Sequence, residues 1–178
     1  MKSYINGIAC ISAQTTFLTP HFLDEALKVT PEEVCYAQEP SYKEYIAPNA
    51  SRRMAKGVKM GIATATEALK EAHITTPDAI LVGTGMGCLQ DSEKFLTALI
   101  NDNEEHLTPT AFIQSTHNTV AGQIALLLQC KGENFTYVNG AVSFESALLD
   151  AKMQMEQDTI NTALVGGVDE HSPHTLYL

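Results

Sequence analysis

Nowhere in the 178 residues does an uninterrupted apolar run approach the roughly 18 that a membrane-spanning helix requires, which excludes such a span. The start, "MKSYINGIACISAQ", has too short an apolar run for a secretion signal and alternates like a strand. Cysteine is sparse as well: Cys10, Cys35, Cys88 and Cys130 stand far apart, with no C-x-x-C pair. Neither a cysteine metal cluster nor a disulfide framework is encoded, and the four thiols read as reduced and mostly buried. The protein is read as cytoplasmic. Basic residues are few, 11 against 21 acidic, for a formal net charge of −10. Such a surface repels a polyanion and argues against nucleic-acid binding, although Arg52, Arg53, Lys56 and Lys59 form a local basic patch. The turn "GTGMG" falls short of a phosphate cradle. Its sixth position is Cys88 rather than glycine, and no lysine follows in P-loop spacing. Close packing across a subunit interface explains those glycines better. No metal or cofactor is implied.

What is present is an ordinary globular composition, 44% apolar and 18% charged, long enough for one domain with a sizeable core. Residues 1–178 are read as that single domain. Residues 4–12 look like a first strand. The stretch from 13 to 50 is an irregular, proline-spaced excursion, with a short helix conceivable around "PHFLDEALK". Ser51 is a candidate cap for a helix whose apolar face is Met54, Val58, Ile62, Ala65, Leu69 and Ala72, with Pro77 as its stop. "AILVG" is a buried strand, and a helix from about Asp91 to Ile100 follows.

Past Pro109, Val120, Ile124, Leu127 and Leu128 mark another helix that Gly132 is placed to terminate. "FTYV" is a strand. Phe144, Leu148, Ala151 and Met155 give the next helix its buried face, and "TALVGG" is the last strand. Asn139-Gly140 is a hairpin cue, but the longer 3.6-residue pattern after it favours strand, turn and helix. Alternating strands and helices with continuous apolar strands predict an α/β fold: a mostly parallel sheet covered by helices on both faces.

Several stretches in this order resemble the N-terminal half of β-ketoacyl synthases, of the thiolase-like superfamily. "HNTVAGQIAL" resembles the family's "P…N-x-x-A-G" helix, and "KGENFTYVNGAVSFE" its strand-turn-helix with the "T-A-C-A-S-G" pattern. "GGVDE" is similar to the strand ending in "GG-x-(D/E)", and "GTGMGCLQDSEKF" to the glycine-rich "G-S-G-x-G" segment. The resemblance is strongest over 107–171 and loose over 13–50. It implies a thiolase-like fold of which this chain carries only the N-terminal half, the C-terminal half being absent. It also places the family's nucleophilic cysteine at Ala141. A helix start there would favour the thiolate that acyl transfer needs. Ala141 keeps the location without the sulphur, so no catalytic residue is assigned. Asn139, Gly140 and Phe144 depart as well, and Phe144 is positioned to narrow the acyl pocket.

Ser143 lacks an adjacent base and reads as a backbone-satisfying hydroxyl; Cys130 reads as a core residue. The histidines and lysine of the condensation chemistry belong to the half this chain lacks, and His117, His171 and His174 do not match them. Thr116, His117 and Asn118 correspond to a segment at the dimer interface beside the acyl tunnel. They are either pocket-setting residues or plain polar residues facing a loop or partner.

The resemblance therefore implies a member of fatty acid, polyketide or aryl-polyene biosynthesis, similar to the non-condensing chain-length factors. Its expected partners are a ketoacyl synthase in a heterodimer, or a second copy in a homodimer, together with an acyl carrier protein. The competing reading is an acyl-thioester enzyme, a 3-oxoacyl-acyl carrier protein synthase or a malonyl decarboxylase, with part of its catalytic groups in the missing half. A single half is expected to expose an inner apolar face, and "HTLYL" at the end suggests a fragment or a truncated gene product.

Overall fold

The apolar run Ala79–Gly83 (β1) is the central strand of a parallel sheet, with Glu133–Tyr137 (β2) on one side and Ala163–Gly167 (β3) on the other. Leu81 lies in register with Phe135 and Val165. Every residue of β1 is buried, as a strand covered on both faces must be. Side chains alternate across it. Ile80 and Val82 join Val58, Ile62, Val120 and Ile124 in one apolar cluster, while Ala79 and Leu81 join Ala147, Ala151 and Ile160 in a second.

The computed structural model describes residues 2–19, 34–173 and 175. Six helices occur among them: α1 (Pro48–Ser51), α2 (Lys56–Glu71), α3 (Leu89–Asn101), α4 (Pro109–Ser115), α5 (Thr119–Leu128) and α6 (Ser143–Glu156). The two clusters place α2 and α5 over one face of the sheet and α6 over the other. Helices α3 and α4 pack on each other, with the Phe95 and Phe112 rings edge to face at 5.7 Å. The α/β architecture read from the sequence is the one observed.

Several local expectations are corrected. Residues 4–12 form no strand: the Gln38 N–H reaches the Ser12 carbonyl at 2.8 Å, but no described strand lies alongside them. They run along α2 instead, Ile8 donating its N–H to Glu71 at 2.8 Å. The excursion holds a 3-10 turn (Tyr42–Glu44) and α1; the helix suggested near residues 20–28 lies outside the described residues. Ser51 ends α1 rather than capping α2. The entry to α2 is held from a distance, Ala55 donating its N–H to the Gln114 Oε1 at 2.9 Å.

Helix ends are set by left-handed residues. His73 (φ 56°) closes α2 ahead of Pro77, and Gln129 (φ 51°) closes α5 in place of Gly132. Gly132 has another reason to be glycine, since a Cβ there would collide with the Asp78 backbone. Of the face expected for α6, Ala151 is buried and Met155 packs against the second cluster, but Phe144 and Leu148 are exposed, and Ser143 and Ala147 take their place against the sheet. Of the four cysteines only Cys88 is buried; Cys10 and Cys130 are half-buried and Cys35 is exposed. Cys130 donates weakly to the Pro77 carbonyl at 3.3 Å.

Candidate functional site

All three strands point their carboxyl ends the same way, and the loops leaving them form one rim. In open parallel sheets this is the edge at which ligands bind. The first loop, Thr84–Cys88, follows β1; the second, Val138–Val142, leads from β2 into α6; the third, Val168–Glu170, follows β3.

Asp169 ties the first loop to the third. Gly85 donates its N–H to Asp169 Oδ1 at 2.7 Å, and the Thr84 hydroxyl donates to the same oxygen at 3.1 Å. Thr84 Oγ1 in turn accepts the Gly87 N–H at 2.8 Å, which fixes the turn. Gly87 has a left-handed φ of 69°, and His117 rests against it, 3.3 Å from where a Cβ would stand. Glu170 continues the tie, accepting the Gln90 N–H at 2.9 Å. Its other carboxylate oxygen is buried and finds no partner among the described residues. Burial pushes this carboxyl above the ordinary range, although Gln90, Lys56 and Lys94 oppose that.

The second loop holds Ala141, where the resemblance leads us to expect the family's nucleophile. Gly140, at φ 60°, opens a 3-10 turn of Gly140–Val142 that runs directly into α6. Ala141 sits on this turn, exposed, and presents a methyl group. The turn is fastened from within: Asn139 donates its N–H to Ser143 Oγ at 2.9 Å, and that hydroxyl donates to the Gly140 carbonyl at 2.7 Å. Ser143 is 3% exposed and its hydroxyl is fully committed. Its proton is engaged by the backbone, so it is not poised as a nucleophile. Asn139 Nδ2 also donates to Ser146 at 3.0 Å, so the asparagine that departs from the family pattern is part of the fastening.

Phe144 is the first large side chain of α6, and its ring covers Gly167, 3.4 Å from a Cβ built there. It therefore sits at the rim, half-exposed, above the end of β3. Thr116 and Asn118 flank His117 between α4 and α5, Thr116 donating to the Ile113 carbonyl at 3.0 Å. Through Gly87, His117 reaches the first loop; a Cβ on Gly85 would in turn lie 3.9 Å from the Gly140 carbonyl. The pocket and interface residues named from the sequence thus gather at one end of the sheet with Ala141. His171 is exposed nearby, and His174 lies outside the described residues.

Cys88 also belongs to the first loop, but burial pushes its thiol up to about 12, helped by the charges of Glu170 and Asp91. A neutral, buried thiol of this kind is no nucleophile. Asp169 and Thr84 belong to no sequence pattern that points to this tie. The only signal for Asp169 was its place in "GGVDE". Among the described residues no three His, Cys, Asp or Glu side chains are grouped to hold a metal, and no helix is long and apolar enough to cross a membrane.

Residues 29–177 match the profile of the β-ketoacyl synthase N-terminal domain. No curated protein matches the chain. Among solved structures it is similar to the ishigamide ketosynthase/chain length factor (TM-score 0.69, 23% identity, 78% of this chain and 41% of that one). It is also similar to the ketosynthase ApeO in complex with its chain length factor ApeC from Xenorhabdus doucetiae (TM-score 0.61, 20% identity, 77% and 53%). A third is AntDE:AntF, a type II polyketide synthase acyl-carrier protein in complex with its ketosynthase bound to the hexaketide (TM-score 0.68, 19% identity, 78% and 42%). The chain thus spans about half or less of the solved chains it matches.

Proposed function

This chain belongs to the β-ketoacyl synthase family, by its match to the N-terminal domain, and from that premise we propose that it is a non-condensing, chain-length-factor-like partner of an active ketosynthase. The observation that carries this reading is the turn at Ala141. The strand, the turn and the helix start that would present a nucleophile are all built, and the presented side chain is a methyl group. Acyl transfer through a thioester needs a sulphur or an activated oxygen at that point. Ser143 is locked to the backbone and Cys88 is buried and neutral, so neither supplies one.

The role left to such a body is shape. Phe144, at the start of α6, and His117, packed on the Gly87 turn with Thr116 and Asn118 beside it, are read as bounding whatever chain grows toward Ala141. Helix α6 adds a second argument. Its small residues face the sheet, while Phe144, Leu148, Leu149 and Met153 leave 44–58% of their surface in water. A helix apolar on two sides belongs between two layers, so this face is read as covered in the working assembly. The carrier of the growing chain would be an acyl carrier protein, docked on the assembly rather than loading this chain.

The reading is tested by incubating the purified protein with malonyl and acyl thioesters and analysing the intact mass. No adduct is expected on this chain, while a co-expressed ketosynthase, recovered in the same complex, becomes acylated. A stoichiometric acyl adduct on any side chain here would overturn the proposal.

A further inference from the structure

Asn-Gly occurs twice in the chain, at Asn6-Gly7 and at Asn139-Gly140. In this dipeptide a side-chain amide lies open to its own backbone, because glycine brings no Cβ to crowd the approach. The Gly140 nitrogen can attack the Asn139 Cγ. The Cγ–Nδ2 bond breaks, and the Gly140 amide proton leaves with Nδ2 as ammonia. Water, which reaches the exposed Asn139, then opens the cyclic imide at either carbonyl and gives aspartate or isoaspartate. Both products put a carboxylate beside the turn that presents Ala141, and isoaspartate also lengthens the backbone there by one carbon.

The folded turn opposes this step. Ring closure needs the Asn139 Cβ and the Gly140 nitrogen eclipsed about the Cα–C bond, and at the Asn139 ψ of 32° they stand nearly opposite each other. Two serines resist the rotation. Ser143 Oγ accepts the Asn139 N–H at 2.9 Å and donates to the Gly140 carbonyl at 2.7 Å. Ser146 Oγ accepts from Asn139 Nδ2, the leaving nitrogen, at 3.0 Å, and is itself held by donating to the Val142 carbonyl at 2.8 Å. Asn6 has no such restraint: it is exposed, and its side chain makes no hydrogen bond among the described residues. We propose that Asn139 is a deamidation site latched shut by Ser143 and Ser146, so that the modification proceeds only from the opened turn. The inference rests on the turn's geometry and stands whether or not the chain is a non-condensing partner.

The test incubates the full chain at mildly alkaline pH, folded or in concentrated guanidinium chloride, and follows deamidation by peptide mass spectrometry. Trypsin cleavage after Lys131 and Lys152 isolates residues 132–152, in which fragment ions separate Asn139 from Asn134. Asn139 is expected to deamidate about tenfold more slowly, or slower still, in the folded chain than in denaturant, whereas Asn6 should differ by less than about threefold. Ser143→Ala and Ser146→Ala should each speed Asn139 in the folded chain by about threefold or more, as the loss of a hydrogen bond allows, and leave Asn6 unchanged. Thermal unfolding establishes that each variant is folded during the incubation, and the half-buried Ser146 keeps the test open if Ser143→Ala weakens the whole fold. Asn139 reacting as fast folded as in denaturant, as fast as Asn6 in the folded chain, or at the wild-type rate in the folded serine variants overturns the proposal.

Discussion

Ser143 accepts the Asn139 N–H at 2.9 Å through its hydroxyl, and the same hydroxyl donates to the Gly140 carbonyl at 2.7 Å. One buried side chain therefore closes the turn that presents Ala141. Replacing it with alanine leaves the Asn139 N–H without its acceptor. Ser143→Ala is expected to lower stability by about 1–2 kcal/mol in urea unfolding, with no change in reactivity toward thioesters. A change in thioester reactivity without a loss of stability would contradict the structural role.

The pedestal itself is testable from the opposite direction. Ala141→Cys puts a thiol on an exposed turn at the start of a 14-residue helix, where free N–H groups favour the thiolate. Alkylation by iodoacetamide at pH 7 should be faster at this position than at Cys35, the exposed native thiol. Condensation is not expected to return with it, because the resemblance places the histidines and lysine of that chemistry outside these residues. A residue 141 thiol no faster than Cys35 would show that the turn does not activate its side chain.

Gly83 and Gly166 lie on neighbouring strands and predict opposite results. A Cβ on Gly83 would overlap the Ser143–Phe144 backbone, whereas nothing lies within 4 Å of one on Gly166. Backbone cannot step aside as a side-chain tip can. Gly83→Ala is expected to cost about 3 kcal/mol or more and to displace the start of α6, while Gly166→Ala should change stability by under about 1 kcal/mol. Equal melting temperatures for the two variants would mean that α6 does not sit against β1 at this point.

These contacts mark what could be read from the sequence. The element order was legible because Val58, Ile62 and Leu69 recur at helical spacing and Ala79–Gly83 is an unbroken apolar strand. The turn at Ala141 was legible too, the 3.6-residue pattern prevailing over the Asn139-Gly140 hairpin cue. The buried face of α6 was not. Large and small apolar residues occupy different sides of that helix, and periodicity alone cannot say which side meets the sheet. Gly83 decides it by letting the helix come so close that only Ser143, Ala147 and Ala151 fit. Residues 4–12 show the converse failure. Alternation predicts a face, but a strand exists only where another strand accepts its hydrogen bonds. Asp169 was hidden for a different reason. Its role depends on amides at Gly85 and a hydroxyl at Thr84, 84 and 85 residues earlier in the chain.

Glu170 offers a test in which pH supplies the control. One of its oxygens accepts the Gln90 N–H at 2.9 Å, and the other is buried without a partner among the described residues. Burial raises its pKa, so the folded state holds the proton more tightly than the unfolded chain does. The sign follows from that. Stability from this group is fully present below the ordinary glutamate range and declines as pH rises through the raised folded value. Above that raised value the wild type carries an ionised carboxylate that the site disfavours. Glu170→Gln keeps an acceptor for Gln90 and removes that charge. The variant should be more stable than the wild type at pH 7 by about 0.5 kcal/mol, a figure kept small because the group is partly exposed to solvent. The gain should shrink toward zero as pH falls to about 4, where the wild-type carboxyl is itself neutral. Urea unfolding of both proteins from pH 4 to pH 8 checks this. A gain that does not change with pH would locate the effect in packing, and a loss at pH 7 would show that the Glu170 charge is compensated in the folded protein.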